Sequence, residues 1–135
     1  IASPDTAFPF ANTGVIGTQL LASRPTLLGG FESYFSTPAG STVYWVVYES
    51  DIEAGPYDLV GSASTVVGTD SPSWYASPSM GVSLVEGRYY IIGNLFVIGS
   101  EWYYQGDVLP VSNDIGVIQS YVYIDGTEPP ATADP

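Results

Sequence analysis

Apolar and polar residues alternate over short runs along almost the whole chain, and Gly, Pro, Asn, Asp and Ser separate the runs. No stretch keeps an apolar period of 3.6 residues, so the pattern predicts strands and no helices. A first strand is expected over residues 15–22, ending before Arg24-Pro25. Residues 27–37 read as a second, with Phe31, Ser33 and Phe35 alternating against Glu32, Tyr34 and Ser36. After a Pro38-Ala39-Gly40-Ser41 turn, residues 42–50 form the strongest strand. It is apolar on both sides: Val43, Trp45 and Val47 on one, Tyr44, Val46 and Tyr48 on the other. Two apolar faces suit a central strand, or an outer face that binds something.

Residues 51–56 read as an acidic loop, and 57–67 as a strand or strand pair broken near Gly61. Residues 69–79 read as a long polar loop holding Trp74 and Tyr75. Strands follow at 80–85, 88–98 and 101–105, with turns at Glu86-Gly87 and Gly99-Ser100. A last strand covers 116–124, with Ile118, Val122 and Ile124 inward and Gln119, Tyr121 and Tyr123 outward. About seven to nine short strands with frequent turns predict an all-β antiparallel sandwich, Ig-like or jelly-roll-like. The expected organisation is an extended N-terminal arm (1–12), one β-sandwich domain (13–125) and a Pro/Ala/Thr-rich tail (126–135).

Composition narrows the chemistry. The 135 residues include 14 Asp and Glu but only two basic side chains, Arg24 and Arg88, with no His and no Cys. There is no Lys either, so the formal net charge is −12. Histidine- and cysteine-based nucleophilic catalysis, disulfides and ordinary zinc sites are excluded, as are Schiff bases and lysine cross-links. Two arginines cannot neutralise a phosphate backbone, so nucleic acid is not an expected partner. No apolar run reaches the length of a membrane-spanning helix. Carboxylate pairs remain, but no Asp-Thr-Gly or Asp-Ser-Gly is present, and a sandwich of this size offers little room for a catalytic cleft. A non-enzymatic protein is expected. A polar, aromatic, lysine-free surface suits a secreted or cell-surface protein, and Ile1 in place of Met suits a processed chain.

Some motifs carry a resemblance. Phe35, the Pro38–Ser41 turn, the hydrophobic run 43–48 and Gly87-Arg88-Tyr89-Tyr90-Ile91 together resemble the bacterial pre-peptidase C-terminal domain, a secreted β-sandwich module. The resemblance covers about half the chain and implies an accessory, non-catalytic module on an extracellular protein. The acidic strand of that family is matched only by Tyr57-Asp58-Leu59.

Three constellations could carry function. Glu49, Asp51, Glu53 and Asp58 fall within ten residues and supply the oxygen ligands that calcium takes, although no EF-hand spacing is present. The alternative is a solvated loop that keeps a sheet edge from pairing. Asp107, Asp114 and Asp125 join that set only if the fold gathers them. Second, 11 Tyr, 3 Trp and 5 Phe exceed what the core needs. Trp74, Tyr75, Trp102 and Tyr103 are candidate platforms for a glycan. Third, the arm with Phe8 and Phe10, together with Tyr34, Tyr44, Tyr48, Tyr121 and Tyr123, could make subunit contacts, the arm by strand addition to a neighbouring copy. The leading expectation is a secreted structural subunit or adhesive module that self-associates. The alternative is a carbohydrate-binding accessory module, with calcium as a possible stabiliser.

Overall fold

The computed structural model describes residues 6–104, 111–112 and 115–135. Among them the chain forms strands only. In order these are β1 (Thr6–Pro9), β2 (Gly14–Ala22), β3 (Thr26–Leu28), β4 (Glu32–Ser36) and β5 (Ser41–Ser50). Next come β6 (Tyr57–Val67), β7 (Ser73–Ala76), β8 (Val82–Leu84) and β9 (Tyr89–Phe96). The last four are β10 (Glu101–Tyr104), β11 (Val111–Ser112), β12 (Gly116–Asp125) and β13 (Thr132–Ala133). The expected all-β, antiparallel, sandwich-like architecture is present. The strands beyond the expected number are pieces of two to four residues. Among the described residues no helix is long and apolar enough to cross a membrane.

One sheet has seven strands in the order β11-β12-β2-β9-β5-β6-β13 and curls into a half-barrel. A second has four strands, β1-β10-β4-β7, and a β3-β8 ribbon stands apart from both. β5 lies inside the large sheet between β9 and β6, which accounts for its two apolar faces. Trp45 and Val43 pack with Phe35 and Phe96 toward the four-stranded sheet. Val46 and Tyr48 pack on the other face with Val15, Ile91, Leu95 and Tyr57. The curl is sharpest in its demands at Gly17 and Gly93, paired across β2 and β9. A methyl group on Gly93 would overlap the Ile16 carbonyl oxygen, so the strands meet there as bare backbone.

Three local expectations change, and one irregularity is new. The single strand over 27–37 is two: Gly29-Gly30 lets the chain leave β8 for the four-stranded sheet, and the Phe31 N–H donates to Ser77 Oγ at 3.0 Å at the crossing. The long polar loop contains β7, which pairs with β4 so that Tyr75 stacks on Phe35 (centroids 4.5 Å apart). The break near Gly61 is a register shift inside a continuous β6, where a side chain would collide with Val82. A second shift, between Ile118 and Ser120, lies within β12.

Both termini are built into the fold as far as they are described. Residues 1–5 of the expected arm lie outside the described residues. The rest pairs as β1 with β10 of its own chain, Phe8 opposite Trp102. Phe10 is buried against Phe96 and Phe8, with both centroids 5.3 Å away. The tail is not a free linker. Thr132 and Ala133 pair with β6, Ala133 is buried, and the Tyr48 hydroxyl donates to the Pro130 carbonyl at 2.8 Å.

Candidate functional site

β4 and β10 share only two registered pairs, Ser36 with Glu101 and Phe35 with Trp102. Past that point Ser33, Tyr34, Tyr103 and Tyr104 continue without a ladder between them. A cavity of about 350 Å³ lies at this gap. Thr18, Leu20, Ile92 and Gly93 of the large sheet line one side. Tyr34, Trp74, Trp102, Tyr103 and Tyr104 of the small sheet line the other, with Phe31, Ile115, Ile118 and Tyr121 completing the wall. The volume lies in the range of small-ligand sites, and the lining is mostly apolar and aromatic, as such sites are.

Strand parity explains the aromatic wall. Phe35 and Ser33 turn inward: Phe35 is fully buried, and the Ser33 hydroxyl donates to Asn94 Oδ1 at 2.7 Å. Asn94 in turn donates from Nδ2 to the Tyr44 carbonyl, so a buried polar bridge ties the sheets together beside the groove. Tyr34 takes the alternate parity. It meets Trp74, its register partner on β7, edge to face at 5.4 Å, and Tyr103 edge to face at 5.3 Å. Across the groove, Trp102 stacks on Tyr104 at 5.3 Å and meets Tyr121 edge-on at 5.6 Å.

The polar groups of the groove are few. Glu32 lines it, two residues before Tyr34 on β4, and its carboxylate has no ion-pair or hydrogen-bond partner among the described residues. Trp74 Nε1 is buried and has no acceptor among the described residues. No basic residue lines the groove. Partial burial, Glu101 and Tyr34 hold the Tyr103 phenol above its ordinary pKa.

The expected sites distribute unevenly. Trp74, Tyr103, Tyr34 and Tyr121 all line the groove. Trp102 lines it too but is only 8% exposed and belongs mainly to the core. Tyr75 is on the inner parity, stacked on Phe35, and its hydroxyl donates to the Ser71 carbonyl at 2.9 Å.

Among the subunit-contact candidates, Tyr48 and Phe10 are buried and so are not surface groups. Tyr44 packs half-buried over the Val46–Tyr48 cluster. Phe8 and Tyr123 pack with centroids 5.4 Å apart and ring planes tilted by 37°. Tyr123 is exposed, as its outward parity predicts, whereas Tyr121 is half-buried against Trp102 and Tyr104 of β10.

The acidic residues do not converge. Among the described residues no three potential ligands group around a common point. Glu49 instead takes an ion pair from Arg88 at 3.1 Å and a hydrogen bond from the Tyr90 hydroxyl at 2.6 Å. Asp58 is its cross-strand neighbour, while Asp51 and Glu53 are exposed in the loop. Asp107 and Asp114 lie outside the described residues.

Phe31, Tyr104 and Glu32 were not singled out by sequence. Their signal was present, an acid flanked by aromatics, but nothing in the sequence says that β4 and β10 part company. The chain is thus an all-β sandwich with a side groove. Comparison with protein-family models, curated proteins and solved structures returned no match.

Proposed function

We propose that the protein is a non-enzymatic, extracellular adhesive module whose aromatic groove holds a glycan. The observation that carries this reading is the groove itself: a wall of aromatic rings facing a mostly aliphatic one, with the unpaired Glu32 carboxylate in the same cavity. Sugar rings present apolar C–H faces to aromatic rings and hydroxyls to such polar groups. The accessory role implied by the resemblance to pre-peptidase C-terminal domains agrees with it. A self-assembling subunit held by its N-terminal arm is the weaker reading, because β1 satisfies its backbone on β10 of the same chain.

The test is retention on a panel of insoluble polysaccharides. Trp74→Ala removes an aromatic wall that is not part of the fully buried core, and should weaken retention about tenfold or more. Retention of the intact protein on none of them, or an unchanged Trp74→Ala, overturns the reading.

A further inference from the structure

We infer that the groove selects a glycan bearing free amines, a glucosamine-type polymer, over neutral or acidic sugars. This rests on the reading of the groove as a glycan site and specifies the charge of its ligand. Glu32 is the only Asp, Glu, Lys or Arg among the lining residues, and it is exposed and unpaired. By strand parity it shares its face with Tyr34 and, across the ladder, with Trp74. Tyr103 stands on the same face of β10, with Glu101 two residues away.

Aromatic rings beside a carboxylate attract cations through both the ring quadrupole and the charge. No compensating cation is near. Arg88 is committed to Glu49, and Arg24 lies in the exposed turn before β3. The net charge of −12 reinforces the preference at long range and repels uronic or sulfated chains. An amino sugar carries on one ring an ammonium for Glu32 and apolar C–H faces for the aromatic side chains, whereas a neutral sugar carries only the faces.

The experiment is calorimetric titration with soluble glucosamine oligomers, their N-acetylated counterparts and neutral glucan oligomers of equal length, at low and at physiological salt. The intact protein should prefer the free-amine oligomer about fivefold or more. Glu32→Gln should bring the two glucosamine series to within about twofold while leaving the N-acetylated affinity unchanged. Glu86→Gln, which removes the same charge from an exposed turn outside the groove, should leave the preference intact. Equal affinities in the intact protein, or an equal loss in Glu86→Gln, overturn the amine preference and leave the glycan reading standing. No binding to any oligomer overturns both.

Discussion

Phe10→Ala tests whether the N-terminal segment is core or connector. Phe10 is 4% exposed and touches three rings: Phe8 and Phe96 at 5.3 Å and Tyr123 at 5.6 Å. Its backbone is fixed independently, by Phe10 N–H to the Ser100 carbonyl at 2.9 Å and Gly99 N–H to the Phe10 carbonyl at 3.1 Å. The substitution therefore removes the ring and leaves the strand. Truncating a buried Phe costs about 3–5 kcal/mol, out of a total of about 5–15 kcal/mol for a domain. At this chain length the melting temperature should fall by roughly 10–20 °C. Phe8→Ala, half-buried on the same segment, should cost less than half as much.

The assay is urea denaturation at two protein concentrations tenfold apart. An arm docked on its own chain gives a lowered midpoint that does not depend on concentration. An arm that completes a neighbour's sheet gives a midpoint that rises with concentration. A loss below about 1 kcal/mol, or a concentration-dependent midpoint in the intact protein, refutes the placement of β1.

Alkaline pH should unfold the protein. Burial pushes the Tyr48 and Tyr90 hydroxyls up to about 12, and the Glu49 carboxylate adds to the effect on Tyr90. A phenol is neutral when protonated, so the folded state holds these protons more tightly than the unfolded chain, whose phenols titrate near 10. The stability is whole below pH 10 and is lost as pH rises toward 12, on the order of 3 kcal/mol for each tyrosine. A urea midpoint that stays flat from pH 9 to pH 12 would contradict it. Gly93→Ala should cost about 3 kcal/mol or more, or prevent folding, because the added methyl overlaps backbone rather than a movable side chain. Gly68→Ala, with open space and an ordinary φ, should be neutral or stabilise by up to about 1 kcal/mol in thermal melts. Equal effects at the two sites would refute the close approach of β2 and β9.

The strands were legible where alternation and turn residues agree. β5 between Gly40 and the acidic loop is one case, and β9 after Gly87 is another. Both glycines adopt positive φ, as tight turns before a strand require. Burial on β6 alternates almost perfectly, as period-2 patterning predicts. What sequence could not carry is which strand lies next to which. Parity on β12 alone places Tyr123 outward, where it is exposed, but misses that Trp102 and Tyr104 of β10 half-bury Tyr121. Trp74 and Tyr75 looked like loop residues because Ser and Pro surround them. Pairing with β4 then separates their roles, one lining the groove and the other stacked on the core. The acidic run misled for a similar reason: Arg88 is remote in sequence from Glu49 but on the neighbouring side of the sheet.

That last pairing bears on the groove. Of the two arginines, the one held within the fold is spent on Glu49 beside Tyr90, whose hydroxyl also accepts the Val85 N–H at 2.7 Å. A half-buried carboxylate needs such partners, because leaving it unpaired costs more than the pair returns. Glu32 faces no such demand, since solvent reaches it. It can stand unpaired at a cavity rim at little cost to the fold. The same economy holds for the aromatic residues. Phe35, Trp45 and Phe96 are committed to the core, whereas Tyr34, Trp74 and Tyr103 meet edge to face beyond the end of the β4–β10 ladder. Substituting the first group should unfold the protein, and substituting the second should not. The groove is therefore a place where the proposed binding can be tested with the scaffold left intact, so that a functional assignment is separated there from a structural one.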